Sequence, residues 1–326
     1  MGEIDLLGIG KFATAAKEPI LKLMELCECA IGKIYEPTHV VRMAKAHAEE
    51  IKLISAVSRE NTDVPILYSK GDIEIDTTSG QELAIRTQTR LQLQELQKQQ
   101  NIESVISHAY EELGTEETVS SEPVDTDWAT RLFSIAGEVS NEDLQLLWGK
   151  VLSGEVKQPG SYSLRTLDRL RNLSKEEAEL FSRIANCVFQ YGSTFFVHTD
   201  KEILKSENIF YADILTLDGA GLVTTDYLTI TIPVTQNTER NIIKFGSKLL
   251  FLKRNNEQVK EIKVSCYALT QAGVEIYSII DKCFKENYLK DVATKLKEQN
   301  ISITYNEIIK INADNSMNYE HTGTIL

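Results

Sequence analysis

Leu228–Ala268, LTITIPVTQNTERNIIKFGSKLLFLKRNNEQVKEIKVSCYA, is the stretch whose reading decides the fold. Leu228, Ile230, Ile232 and Val234 recur at every second position, as do Ile262, Val264 and Cys266, and Leu249 to Leu252 form a short apolar run. A period of two marks strands, because successive side chains of a strand point to opposite faces. Asn255 and Asn256 suit a turn between strands. Working outward, Thr199 with Glu202 opens a helix, and a second apolar helical run from Ile209 to Leu217 closes at Asp218, Gly219 and Gly221. On the other side Thr270 opens a helix bearing Ile276, Ile279, Ile280 and Cys283. Two helices, a strand hairpin and a closing helix predict a winged-helix-like domain over 193–285. The remainder, 286–326, reads as a helix with Leu289, Val292 and Leu296, short strands near 301–305 and 308–311, and a polar tail.

Upstream the period changes to that of helices. Over 128–192 the stripes Trp128, Leu132, Ile135; Leu144, Leu147, Trp148, Val151, Leu152; Leu164, Leu167, Leu170; and Phe181, Ile184, Val188 predict a central helical domain. Ser140 with Asp143 and Ser174 with Glu177 fit caps in which a hydroxyl and a carboxylate satisfy free first-turn amides. Residues 114–127 hold Glu116, Glu117, Glu122, Asp125 and Asp127 with no basic residue, which reads as an acidic linker. Residues 1–113 read as long helices. Ile20, Leu23, Met24, Cys27 and Ile31 make one stripe, and Val40, Ala44, His47, Ile51 and Ile54 make a seam spaced like a coiled coil. Val40, Ala44, Ile51 and Ile54 are the candidate oligomer interface. Asn61 to Gly80 is a loop or small hairpin, after which a helix carries a Gln-rich stretch and a wide apolar face from Ile102 to Leu113. The expected fold is thus mainly α with a smaller α+β part: N-terminal long helices for oligomerisation, a central helical domain and a C-terminal winged-helix-like domain.

The 326 residues are 42% apolar and 25% charged, which excludes collagen-like and disordered classes. A net charge of −13 argues against general attraction to phosphates. Five cysteines without a C-x-x-C pair fit a reduced, cytoplasmic setting. No stretch supplies the ~20 apolar residues of a spanning helix, and contact with a membrane surface stays open. Gly8-Ile9-Gly10-Lys11 lacks the first glycine and the hydroxyl of a phosphate loop, and Asp218-Gly219-Ala220-Gly221 lacks the third glycine of a dinucleotide fold. The histidines are scattered, and Cys27 and Cys29 would point about 200° apart on a helix, too far for one metal. The sequence therefore offers no catalytic residue, no cofactor-binding residue and no metal ligand.

Charge is distinctive in one place. Arg240, Lys244, Lys248, Lys253, Arg254, Lys260 and Lys263 stand against three acids between Glu239 and Lys263. Lys244, Lys248, Lys253, Arg254, Lys260 and Lys263 are the candidate nucleic-acid contacts, on a basic hairpin that could meet phosphates. The plainer reading is a solvated strand pair whose lysines discourage edge pairing.

Asp127–Phe181 resembles the bacterial family of domain of unknown function 2806 and, more distantly, the abortive-infection alpha family. The carriers are Trp128, Ser140, Trp148, Leu152, Glu155, Pro159, Gly160, Ser161, Arg165, Leu167, Leu173 and Phe181, with Leu269, Thr270 and Gly273 downstream. The resemblance implies a bacterial cytosolic protein connected with phage defence, and it transfers no catalytic residue. Glu155 and Arg165, read as an ion pair across the loop, are the candidate ligand contacts. Three functions are carried forward: a non-enzymatic interaction protein that self-assembles through its N-terminal helices and takes a protein partner; a winged-helix nucleic-acid binder using the basic hairpin; and an enzyme with an unrecognised site.

Overall fold

A computed structural model describes residues 18–31, 66–69, 72–75, 80–114, 116, 118–226, 228–235, 242–311, 317–320 and 323–326. The seam residues Val40, Ala44, His47, Ile51 and Ile54 lie outside these. The chain divides into two compact units, Met1–Tyr162 and Ser163–Leu326.

In the first unit, helix α1 (Glu18–Ile31) precedes an antiparallel hairpin of β1 (Ile66–Ser69) and β2 (Asp72–Ile75), then α2 (Gly80–Leu113), α3 (Thr126–Ala136) and α4 (Glu142–Lys157). α1 buries Ile20, Leu23, Leu26 and Cys27 against α3 and α4, and α2 packs along α4 through Val105, Ile106, Ala109 and Leu113. Gly149 permits the closest approach: a Cβ there would lie 2.4 Å from His108 Cβ and 3.1 Å from the Ala109 nitrogen. A polar key sets the register of α2. The Asn101 amide donates to the Gly137 carbonyl at 2.8 Å, and Gln145 donates to Val139 O at 2.8 Å while accepting from Ser104 Oγ at 2.7 Å. The acidic stretch after α2 is tied down, with Ser120 N bonded to Lys157 O at 3.0 Å, Glu116 paired with Lys157 at 2.8 Å and Asp125 capping α3 through Trp128 N at 2.8 Å. α4 is capped by Asn141, one residue beyond the expected Ser140.

The second unit opens with α5 (Leu164–Arg171) and α6 (Lys175–Ala185), the latter with the expected box of Ser174 and Glu177. There follow β3 (Phe189–Tyr191), β4 (Thr194–His198), α7 (Lys201–Ser206), α8 (Tyr211–Gly219), β5 (Leu228–Pro233), β6 (Ile242–Phe245), β7 (Lys248–Arg254) and β8 (Glu261–Ala268). Helices α9 (Gln271–Ile279) and α10 (Glu286–Lys297) and strands β9 (Ile301–Ile311), β10 (Met317–Tyr319) and β11 (Thr324–Ile325) complete it. Asp200, not Thr199, caps α7, and Thr270 caps α9 as expected.

All nine strands from β3 to β11 join one antiparallel sheet in the order β10-β9-β7-β6-β3-β4-β8-β5, with β11 also on β9. This overturns the expected fold class: the strand part is not a small α+β appendage, and the winged-helix-like domain is not what forms. Three physical reasons account for the difference. Phe189 to His198, a hairpin turning at Gly192 with φ +58°, holds two strands that the helical stripe ending at Val188 concealed. β7 and β8 do not form the basic hairpin, because β6, β3 and β4 lie between them, and the Asn255 amide bonds instead to Asn300 O at 3.0 Å. β9 is one strand of 11 residues, pairing with β7 from Ile301 to Glu307 and then passing to β10.

Helix α10 packs against the sheet through Tyr288. Tyr288, fully buried, lies 5.8 Å from the Phe189 ring and 6.2 Å from the Phe245 ring, and its hydroxyl accepts the His198 amide at 3.0 Å. Just past the helix, Gln299 exchanges two 2.9 Å hydrogen bonds with the backbone of Lys263 in β8. One helix thus contacts β3, β4 and β6, and its C-terminal turn reaches β8.

The close crossing in the first unit yields a prediction. Gly149→Ala forces a methyl into the His108–Ala109 backbone of α2 and is expected to destabilise the chain by roughly 1–3 kcal/mol, read as a lower denaturant midpoint with an unchanged slope.

Candidate functional site

Carboxylates organise the segment that carried the family resemblance. At the end of α4, Glu155 is 2% exposed, and its two oxygens accept from the amides of Gly160 at 2.6 Å and Tyr162 at 3.0 Å. Gly160 has φ +83°, a left-handed conformation that glycine adopts without strain. The Tyr162 ring lies where a Gly154 Cβ would be 2.5 Å from its hydroxyl, and its carbonyl accepts from Trp128 Nε1 at 2.7 Å. Glu155 is therefore a clamp on the turn, not an exposed ligand contact. Its expected partner Arg165 is exposed on α5 of the other unit.

The second unit uses the same device. Glu275 on α9 accepts from Ser163 N at 2.7 Å and from Thr166 Oγ1 at 2.5 Å, beside the Ser163 hydroxyl that caps α5. A negative charge at a helix start complements the free amides and the helix dipole there. α9 is itself anchored by Thr270, which donates to Gly221 O at 2.6 Å, and by Gly273, whose Cβ would fall 2.0 Å from Leu222 O. Glu275 escaped the sequence reading because its partners lie 112 and 109 positions away.

The six basic candidates are dispersed. Lys248 sits 4.9 Å from the Tyr305 ring and is ion-paired with Glu286 at 2.9 Å and, more closely, with Glu307. Burial alone would lower its pKa, but the two carboxylates raise it above the usual value. Lys244, on the opposite face of the sheet, is held below the usual lysine value by burial. Lys253, Lys260 and Lys263 are exposed, while Arg254 is half-buried with no hydrogen-bond partner at Nε.

In the backbone register His198 of β4 stands opposite Cys266 of β8. Burial pushes the Cys266 thiol up to about 12, as it does Cys27 and Cys187. Burial also holds the His198 imidazole below its ordinary value, with Asp200 opposing and Lys295 reinforcing that shift. His198 Nδ1 accepts the Asp200 amide at 3.0 Å, which fixes a neutral ring. A buried thiol with a raised pKa holds little of the thiolate that acts as a nucleophile. Among the described residues no cluster of three or more His, Cys, Asp or Glu side chains could hold a metal ion.

A family model described as protein of unknown function (DUF2806) matches residues 85–293. The chain belongs to that family. No curated protein and no solved structure matches it. The DUF2806 span begins inside α2 and ends inside α10, so it contains the Glu155 and Glu275 clamps, the Thr270 anchor and Tyr288. β9 lies beyond it yet bonds to β7 along seven positions, so the sheet extends past the family match.

Because the folded pKa of His198 lies below the unfolded value, its contribution to stability is complete above about pH 6.5 and is lost as pH falls through the folded value. The chain is expected to have a lower unfolding midpoint at pH 5 than at pH 7. His198→Asn, which keeps an acceptor for Asp200 N but cannot titrate, should narrow that difference; an unchanged difference would assign the acid sensitivity elsewhere.

Proposed function

We propose that this protein is a non-enzymatic assembly and interaction component of the bacterial cytosol that acts in phage defence of the abortive-infection kind, with protomers brought together by α2. The observation that carries the reading is the contrast along that helix. Its C-terminal half is packed, with Val105, Ala109 and Leu113 fully buried, whereas Leu91 is 49% and Leu96 41% exposed in the half that precedes it. At 1.5 Å per residue, 34 residues span about 51 Å, more than the bundle's other helices cover. Exposed polar side chains near the leucines bond along the helix itself, Arg90 to Gln94 at 3.0 Å and Lys98 to Glu95 at 2.7 Å, which supports this part of the helix. Among the described residues no helix is long and apolar enough to cross a membrane. The raised pKa values of the buried Cys27, Cys187 and Cys266 thiols support a role without thiolate chemistry, and the resemblance of Asp127–Phe181 to the abortive-infection alpha family supports the defence setting.

Sedimentation at micromolar concentration is expected to show an oligomer whose mass falls on Leu91→Glu with Leu96→Glu, and on Ile51→Glu with Ile54→Glu, while the circular dichroism is retained. Cells carrying the chain should survive phage challenge as a culture, and the assembly-deficient variants should not confer this. A monomeric wild-type chain would contradict the reading.

A further inference from the structure

Strand β5 leaves one edge of the sheet unpaired among the described residues. β5 ends the sheet, and its partner β8 lies on one side only. Val234 N bonds to Lys260 O at 2.8 Å, so the even-numbered residues of this strand direct their main-chain groups at β8. Alternation then turns the amides and carbonyls of Thr229 and Thr231 outward. Pro233, which has no amide to offer, falls on that outward set, as proline does on edge strands. Among the described residues nothing pairs with this edge.

Elsewhere the protein covers such an edge. Lys263 N and O, where β8 runs past the end of β4, are taken up by the Gln299 side chain, and the opposite end of the sheet is blunted by β10 and β11, of three and two residues. β5 has neither of these, and apart from Pro233 at its end it lacks the charges that usually discourage edge pairing: no residue from Tyr227 to Thr238 is charged. Leu228, at the strand's start, is 40% exposed.

The register is self-complementary. In an antiparallel pair of two copies centred on Ile230, Thr229 of each faces Thr231 of the other, and the four outward amides and carbonyls of these threonines form two reciprocal pairs of hydrogen bonds. Ile230 then meets Ile230 of the second copy, and Leu228 meets Ile232, both non-hydrogen-bonded positions where side chains come closest. The missing amide of Pro233 ends the ladder just beyond.

We propose that β5 pairs with β5 of a second copy across a two-fold axis, joining two nine-stranded sheets into one. Such a contact is isologous; combined with pairing through α2 it closes a tetramer or propagates a chain of subunits. The contact stands on β5 alone and does not require the α2 reading.

The full-length chain carrying Leu91→Glu and Leu96→Glu isolates the β5 contact. Sedimentation should find it dimeric, Thr231→Pro in that background should make it monomeric because only an outward amide is lost, and Thr231→Val should leave the dimer. Ile230→Cys, in the otherwise unchanged chain, should give a disulfide-linked dimer under mild oxidation that Thr231→Pro abolishes. A monomeric Leu91→Glu, Leu96→Glu chain with no Ile230→Cys cross-link would overturn the β5 proposal while leaving α2 assembly standing. A mass unaffected by Thr231→Pro, or an edge that pairs a foreign peptide and no second copy, would also overturn it.

Discussion

The second unit depends on one buried hydroxyl. Tyr288 is buried against the sheet, where its ring meets Phe189 and Phe245 and its oxygen takes the backbone amide of His198. Strand β4 thereby gains a hydrogen bond that its neighbours do not provide, and α10 is fixed at the depth that lets β9 leave it alongside β7. Burial pushes the phenol pKa well up, so the group stays neutral at any ordinary pH. Leaving the His198 amide without its acceptor would cost about 1–3 kcal/mol. The aromatic packing around it is what makes a strand order with such distant partners the stable arrangement.

In the first unit the corresponding constraint is the close contact of α2 with α4 at Gly149, which commits half of α2 to a bundle and leaves the other half outside it. The Glu155 and Glu275 clamps serve the same end on either side of Tyr162 and Ser163. Each is a buried or half-buried carboxylate that accepts from backbone amides, and each holds a turn that glycine or a cap alone would leave loose. Residues that carry the family resemblance thus include core side chains such as Trp148, Leu152 and Phe181 and ones that shape backbone, such as Glu155 and Gly160. Among the described residues, exposed leucines of α2 and the unpaired edge of β5 lie away from these clamps.

What was legible in the sequence was local. Helical stripes such as Leu144, Trp148, Val151 and Leu152 became the buried face of α4, and the Ser174–Glu177 and Thr270 caps form because their partners are three residues away. The sheet order was not legible, since period two identifies β5, β7 and β8 as strands without saying which pair. Asn255 and Asn256 suggested a return of β7 upon β8, but the bond that matters there is made with Asn300, after another helix. Glu155 was singled out by its surroundings in sequence, while its role as a double amide acceptor required coordinates. The lysines between 244 and 263 are neighbours in sequence but not on one surface: Lys244 and Lys248 occupy opposite faces, and Lys248 is ion-paired with acids from α10 and β9.

The central structural claim is that β9 and α10 belong to the same cooperative core as β4 and β8, although β9 lies beyond the residues that match the family. Amide hydrogen exchange on the full chain tests this most directly. The slowest amides of β4, β7, β9 and α10 should exchange at one common rate, that of global opening of the second unit, and Tyr288→Phe should speed all four together. Exchange in α10 and β9 that runs orders of magnitude faster than in β4, or that is untouched by Tyr288→Phe, would contradict it.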